Sequence, residues 1–276
     1  MNLTIITDGN LKFGLGHILR SKTLAKFLIK DGHKVDLIVL SEINIKALYI
    51  SNDVIIDIPY DGDFLLQKIS YKSKVIGLDY VGQSKLDLVI NVFDFLRYKG
   101  SNQISGLEYS IIREDITSLI NQNFLCNKSV LIMLGSYDIN NFALNIIQLM
   151  DDKNIETVVI EYEKSININH FNYCTHFVNP DNIAAIMQGC SWAVTNGGSS
   201  MLELMALGKA VHAIPQTEAE SALANKIFKL GGLLGVGKPI KIPNNKYISD
   251  IAYTAQKIID GRGVKRIMNH IKKLVE

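Results

Sequence analysis

The stretch LTIITDGNLKFGLGHILR, residues 3–20, decides the fold. It begins with a short, mostly apolar run typical of a buried strand, continues into a glycine-rich turn, and ends where apolar residues take helical spacing. The pattern predicts a helix over residues 18–30, with Gly32 in the left-handed cap position, and a second strand over residues 35–40. Strand, helix and strand in this order form the right-handed crossover unit of a parallel sheet.

A second glycine segment, TNGGSSMLE at residues 195–203, repeats this arrangement. The apolar run 192–195 precedes it, and a helix is expected over residues 199–207. A strand that ends in glycines before a helix aims backbone N–H groups and a positive helix end at one spot, which favours an anion such as phosphate. Two such spots in separate halves of the chain indicate one ligand held in a cleft between the halves.

The rest of the chain alternates short apolar runs with helical patterns. The polar region 95–105 is interpreted as a loop, and the change of pattern at 115–128 as a domain joint. We therefore predict an α/β protein with two Rossmann-like domains, residues 1–125 and 126–276, whose parallel sheets face a cleft. Ligands of such folds bind at the carboxyl ends of the strands. Further strands are expected at residues 54–58, 74–78, 88–92, 129–134, 156–161, 175–178 and 211–214.

Composition narrows the class of protein. The 276 residues are 47% apolar and 20% charged with a net charge of +2, which fits a folded protein and not a nucleic-acid binder. The three cysteines form no CxxC pair, so we interpret them as reduced thiols. We expect a cytoplasmic location, no signal peptide and no insertion into a membrane. The oligomeric state is left open.

His17 is the candidate catalytic residue because it lies where the first helix begins. A positive helix end disfavours a protonated imidazole, so we expect a neutral ring that accepts a proton from water as a general base. The alternative is a histidine that only caps or orients the loop.

The second glycine segment carries the candidate nucleotide site. Ser199 and Ser200 offer hydroxyl donors around a diphosphate, and Glu203 lies one turn into the helix, where it can accept hydrogen bonds from ribose hydroxyls. Alternatively, Glu203 is a helix-capping glutamate. Gly135 and Ser136 form a third turn at a strand end, either a wall of the same cleft or an ordinary turn between strand and helix.

Other types of site are excluded. No His, Cys, Asp and Glu residues have the spacing of metal ligands, and the GxSxG and GxxxxGK[ST] motifs are absent. The GLGH segment is not the GxGxxG of a dehydrogenase. We expect no metal and no cofactor.

These residues together resemble a known family, the UDP-sugar hydrolases of bacterial pseudaminic acid biosynthesis, a branch of the GT-B nucleotide-sugar superfamily. More distantly, the chain is similar to the UDP-GlcNAc transferase of peptidoglycan lipid synthesis. The motifs that carry the resemblance are Asp8…Gly14-Leu15-Gly16-His17…Arg20, Leu88–Asn91, Tyr109…Arg113-Glu114, Met133…Gly135-Ser136…Asp138, Asn196–Ser200…Glu203 and Asp260–Gly263…Arg266-Ile267.

The resemblance implies metal-independent attack of water on the anomeric carbon of a UDP-sugar, with His17 as the base. UDP leaves, and the free 2,4-diacetamido sugar is released with inversion. The second domain would hold UDP through Gly135, Ser136, Asn196, Gly198, Ser199, Ser200 and Glu203. Substrate contacts would come from Asp8, Gly14, Gly16, Arg20 and Tyr80.

The chain departs from the family pattern mainly around the substrate. Asp79-Tyr80 is the nearest match to the family's Asp-x-Tyr segment, and Glu218-Ala219 stands where an Asn-Gln pair is expected. Two alternatives to a hydrolase therefore stay open. One is a glycosyltransferase that uses an acceptor in place of water, and the other is a non-catalytic protein that binds nucleotide sugars.

Overall fold

A computed structural model of the chain describes residues 1–9, 15–92, 102–122, 128–134, 138, 141–162 and 166–275. Of the predicted site residues, Gly14, Gly135 and Ser136 lie outside the described residues. The chain divides into two compact units: the first contains Met1–Arg113 and Gly261–Glu276, and the second contains Glu114–Asp260.

The first unit is built on a six-stranded parallel sheet with strand order β2-β1-β3-β4-β5-β6. Its strands are β1 (Asn2–Thr7), β2 (Lys34–Val39), β3 (Asp53–Asp57), β4 (Val75–Leu78), β5 (Leu88–Asn91) and β6 (Gln103–Ser105). Helix α1 (Gly16–Lys30) connects β1 to β2, and Gly32 follows it with the predicted left-handed backbone, φ +89°. Short 3-10 helices lie at Leu40–Glu42, Ile45–Ala47, Asp63–Lys68 and Leu107–Tyr109.

The second unit repeats the plan with strand order β12-β11-β10-β7-β8-β9, again fully parallel. Its strands are β7 (Val130–Met133), β8 (Thr157–Glu161), β9 (Cys174–Val178), β10 (Trp192–Thr195), β11 (Ala210–Ala213) and β12 (Gly235–Val236). Its helices are α2 (Glu114–Thr117), α3 (Phe142–Asp151), α4 (Ile183–Gly189), α5 (Ser199–Ala206), α6 (Glu218–Lys229) and α7 (Asn245–Ile258).

The last helix, α8 (Gly263–Val275), belongs to the first unit. Val264, Ile267 and Ile271 recur at helical spacing and are buried in one cluster with Leu3 of β1 and Leu24 of α1. The compact units therefore differ from the predicted domains 1–125 and 126–276, because the chain returns to the first unit after Asp260. The first unit also ends at Arg113, before the predicted joint.

Two short strands were not expected from the sequence. β6 lies in the region 95–105 that we interpreted as loop, and it pairs with β5 through three residues. β12 pairs with β11 through two residues. Runs this short carry no detectable alternation of apolar and polar residues, so only the neighbouring strand identifies them.

Candidate functional site

The first unit brings three aspartates to the carboxyl edge of its sheet, the side where the parallel strands end. Asp8 follows β1, Asp57 ends β3 and Asp79 follows β4, and these three strands are neighbours in the sheet. Because α1 begins at this edge, its first turns add His17 and Arg20. The edge therefore carries the polar groups that ligands of doubly wound folds contact.

His17 and Asp57 form a hydrogen-bonded pair. The Nδ1 atom of His17 lies 2.7 Å from Oδ1 of Asp57, whose side chain is fully buried, whereas 22% of the His17 side chain is exposed. An ionised carboxylate only accepts, so Nδ1 carries the ring proton and donates it to Asp57. Nε2 is then left with a lone pair. This is the arrangement of a general base whose tautomer is set by a carboxylate.

Arg20 joins Asp57 to Asp79. Its Nε and Nη2 atoms donate to the two oxygens of Asp57 at 2.9 and 2.5 Å, and Nη1 donates to Oδ2 of Asp79 at 2.5 Å. Ser21 adds a hydroxyl donor to Asp57 at 2.7 Å, and the backbone N–H of Val92 donates to Asp79 at 2.8 Å. We call His17, Arg20, Asp57 and Asp79 the charge cluster.

The contacts within the charge cluster hold its ions in their charged forms. Burial alone would raise the pKa of Asp57, but the Arg20 guanidinium and the hydrogen bond from His17 hold it well below its usual range. Burial would likewise lower the pKa of Arg20, and the two carboxylates instead raise it above its usual value. The guanidinium nitrogens of Arg20 all donate to Asp57 or Asp79, and its contact with substrate stays a prediction.

Asp8 and Tyr80 make hydrogen bonds to neighbouring protein groups, and their contacts with substrate stay predictions. Asp8 accepts hydrogen bonds from the Tyr60 hydroxyl at 2.5 Å and from the backbone N–H of Ser41 at 3.3 Å. Tyr80 is only 2% exposed, packs in a hydrophobic cluster, and donates its hydroxyl to Asp63 at 2.5 Å. These contacts support neighbouring loops, because Asp63 also accepts from the backbone N–H of Ser84 at 3.1 Å.

The second unit presents a turn of main chain at its own carboxyl edge. Asn196, Gly197 and Gly198, here called the glycine turn, connect β10 to α5. Behind them, the Asn196 side-chain amide donates to Oε1 of Glu220 at 2.5 Å, and the backbone N–H of Gln216 donates to Oε2 at 2.8 Å. Glu220 therefore supports the glycine turn from α6.

Helix α5 begins without a side-chain cap. Its N-cap residue is Gly198, which offers no side chain to the first backbone N–H groups, and Ser199 beside it is exposed. The capping alternative for Glu203 does not hold, because the N3 position of this helix is Met201. Glu203 lies two residues further along and is half-buried. The uncapped end has the geometry of an anion site.

Two supporting residues were missed by the sequence analysis. Asp57 ends the run DVIID, and a charged residue that closes a buried strand is a signal that was available. The sequence has no such signal for Glu220. The departure from the family pattern was located at Glu218-Ala219, and only folding brings Glu220 to Asn196.

Asn91, at the end of β5, is fully buried, and in the described part of the chain neither polar atom of its side-chain amide has a hydrogen-bond partner.

Among the described residues, no helix combines the length and apolar character needed to cross a bilayer. In the same ranges, no three His, Cys, Asp or Glu side chains are grouped to hold a metal ion.

Comparisons with known proteins give weak sequence relatives and a clear structural likeness. No protein-family model matches the chain. Over 248 residues, 84% of its length, the chain is 24% identical to the Helicobacter pylori "pseudaminic acid cytidylyltransferase and UDP-2,4-diacetamido-2,4,6-trideoxy-beta-L-altropyranose hydrolase". The chain spans about half of that relative, 48% of its length.

Solved structures share the fold across the whole chain. MurG of Acinetobacter baumannii matches with a TM-score of 0.68 at 10% identity, covering 99% of both chains. MnaA of S. aureus, solved with UDP, matches with a TM-score of 0.64 at 11% identity, covering 99% of this chain and 96% of that one. The predicted fold class is confirmed: each unit is a Rossmann-like α/β unit with a parallel sheet, and the architecture is that of GT-B glycosyltransferases.

Proposed function

We propose that the chain hydrolyses a UDP-linked sugar, releasing UDP and the free sugar. The observation that carries the proposal is the contact between His17 Nδ1 and the buried Asp57 carboxylate, which leaves Nε2 as a proton acceptor. The glycine turn and the uncapped start of α5 supply the second requirement, a place for the diphosphate.

The proposed reaction is attack of water on the anomeric carbon with inversion. Nε2 of His17 takes a proton from the water as its oxygen bonds to the carbon, and the bond between that carbon and the phosphate oxygen breaks. UDP leaves with the electron pair. Asp57 stabilises the imidazolium that forms, and backbone N–H groups at α5 stabilise the leaving diphosphate.

Roles for the second unit follow from the same proposal. Asn196, Gly198, Ser199 and Ser200 would contact the diphosphate, and Glu203 would accept hydrogen bonds from ribose hydroxyls. Gly135 and Ser136 keep their predicted role as proposals. The substrate class comes from the Helicobacter relative, whose name includes a UDP-diacetamido-trideoxy-sugar hydrolase.

A glycosyltransferase is the second candidate. The observation that favours it is the architecture itself, which is shared with glycosyltransferases over 99% of the chain. The same base would then activate an acceptor hydroxyl in place of water.

The deciding experiment measures UDP release from UDP-2,4-diacetamido-2,4,6-trideoxy sugars and from UDP-N-acetylglucosamine, with and without acceptor sugars. Hydrolysis predicts release without acceptor, and in ¹⁸O-labelled water the label enters the free sugar and not the UDP. Release only with acceptor would replace the proposal by the transferase. Tight UDP binding with no turnover of any donor would favour a non-catalytic binding protein.

A further inference from the structure

We propose that Arg20 is a positioning residue: it keeps Asp57 ionised, so that the ring proton of His17 stays on Nδ1 and the lone pair on Nε2. The catalytic consequence rests on the proposed function, in which Nε2 is the base. The effect on the tautomer does not, because it is a property of the protein without substrate.

The geometry of Arg20 suits this role. Its Nε and Nη2 atoms form a two-point contact with both oxygens of Asp57, at 2.9 and 2.5 Å, a geometry that favours the ionised carboxylate. Only 15% of the Arg20 side chain is exposed, and Asp57 is fully buried, so water contributes little to the stability of either ion. Arg20 is therefore the main support of the charge on Asp57, beside the hydrogen bonds from His17 and Ser21.

The protonation state of Asp57 determines which ring nitrogen of His17 carries the proton. An ionised Asp57 accepts the proton of Nδ1, which directs the lone pair of the ring to Nε2. A neutral Asp57 carries an O–H group that donates to Nδ1, and the ring proton then belongs on Nε2. In that state the ring atom available to solvent no longer accepts a proton, and the base is lost.

Nη2 of Arg20 also lies 3.1 Å from Nδ1 of His17. The two groups are both donors in the tautomer that we assign, and they meet because both donate to Oδ1 of Asp57. The shorter contact, 2.7 Å from Nδ1 to a carboxylate, decides the tautomer.

Asp79 has a role in the charge cluster that can be tested separately from the role of Arg20. It binds the third nitrogen of Arg20 and accepts the backbone N–H of Val92, so it holds the guanidinium against the end of β5. An asparagine at this position keeps an oxygen for either donor and removes one negative charge. Asp79→Asn is therefore the matched control, since it changes the charge and leaves the contact between Arg20 and Asp57.

The experiment reads the tautomer of His17 by long-range ¹H–¹⁵N correlation NMR of the ligand-free protein. The signals are assigned by comparison with His17→Gln and recorded as a series from about pH 9 to pH 7, because the form with a neutral Asp57 holds one proton more than the form with an ionised Asp57, and an ordinary imidazole, with a pKa of about 6.5, is mostly neutral throughout this range. Wild type and Asp79→Asn are expected to show the proton on Nδ1. Arg20→Gln is expected to move it to Nε2, and Arg20→Lys, which keeps the positive charge, to restore Nδ1 at least in part.

A double variant keeps the test valid if two unpaired buried carboxylates prevent Arg20→Gln from folding. Arg20→Gln with Asp79→Asn removes one charge of each sign, and it is also expected to show the proton on Nε2. A folded Arg20→Gln or double variant that keeps the proton on Nδ1 would overturn the proposal. A wild-type protein with the proton on Nε2 would overturn it as well.

Kinetics on the UDP-sugar that the release assay identifies as substrate supply a second readout. Arg20→Gln should lower kcat by about 10²- to 10⁴-fold with KM within about threefold, because a misplaced proton removes the base and not a substrate contact. Arg266→Gln, on α8, should leave kcat unchanged, since that arginine donates to the carbonyl of Glu108. A rise in KM at unchanged kcat would instead make Arg20 a substrate contact. If no UDP-sugar is hydrolysed but the tautomer shifts as expected, the proposed function fails and the role of Arg20 stands.

Discussion

The carboxyl edges of the two sheets are built in opposite ways. The first unit gathers ionised side chains, with one guanidinium between two buried carboxylates and an imidazole on the outer side. The second unit offers main chain, with two glycines supported by an amide and a carboxylate that contact each other. In the first unit, the buried charges bind one another and hold the His17 imidazole in the orientation in which it can accept a proton. A glycine turn that leads into a helix start without a side-chain cap suits an anion.

The comparison predicts that removing the imidazole affects the reaction far more than nucleotide binding. His17→Ala should lower kcat by about 10²- to 10⁴-fold and change the dissociation constant of UDP by less than about tenfold. Stopped assays of UDP release and calorimetry with UDP measure the two quantities. His33→Ala is the control in the same unit, because His33 contacts Asp31 outside the charge cluster. Full activity of His17→Ala would remove the general base from the mechanism.

In the glycine turn, the two glycines should respond differently to a methyl group. A Cβ on Gly197 would lie 2.6 Å from the carbonyl oxygen of Glu220, so the backbone must shift. Gly197→Ala should therefore cost about 1–3 kcal/mol of unfolding free energy and weaken UDP binding about tenfold.

Gly198→Ala is the matched control for that prediction. Its Cβ would first meet the ends of two side chains, Asn196 at 3.1 Å and Glu220 at 3.3 Å. We expect a change of less than about 0.5 kcal/mol in unfolding free energy. Equal losses of stability in both variants, measured by urea unfolding, would show that the turn is not held by Glu220.

A smaller effect is expected at Glu203. Loss of a hydrogen bond to ribose should weaken UDP binding about five- to tenfold in Glu203→Ala, the equivalent of about 1–1.5 kcal/mol. Wild type should bind UDP more tightly than 2′-deoxy-UDP, and the variant should not distinguish them. Calorimetry with both ligands measures this, and a variant that keeps the preference would place the ribose contact elsewhere.

The pH dependence of stability should reveal the buried charge pairs of the first unit. The pKa of Asp57 is lowered by folding, so its contribution is present above the unfolded value near 3.8 and is lost as the pH falls below it. The difference in unfolding free energy between wild type and Asp57→Asn should therefore shrink from pH 5 to pH 2, by up to about 1.4 kcal/mol per pH unit. Urea unfolding at a series of pH values measures it. If the difference in unfolding free energy did not change with pH, the contacts of Asp57 would not lower its pKa.

The sequence predicted features with local signals and missed those that depend on distant residues. Glycines between a strand and a helix located both sheet edges, and an imidazole at a helix start identified His17. Asp57 is 40 residues from His17, so nothing near either residue shows their contact. The substrate contact of Arg20 was implied by the resemblance and stays a prediction, and the position of Arg20 on α1 does not reveal the two carboxylates that surround it.

The same limit explains the assignment of the last helix. Apolar residues at helical spacing show that one face of α8 is buried, but they do not show which of the two sheets it packs against. The neighbouring helix in sequence, α7, packs in the second unit, with Ile251 in its core. Only the three-dimensional contacts of Val264 and Ile267 with the core of the first unit distinguish the two possibilities.

The return of α8 to the first unit has a consequence for synthesis on the ribosome. Residues 114–260 can form their whole core as soon as they leave the exit tunnel, whereas the earlier residues 1–113 must wait for Val264, Ile267 and Ile271. The part made first is therefore completed last. During that interval the apolar surface that α8 later covers is open to chaperones, and a released chain truncated before residue 261 should be cut by protease within residues 1–113 and resist cleavage within residues 114–260.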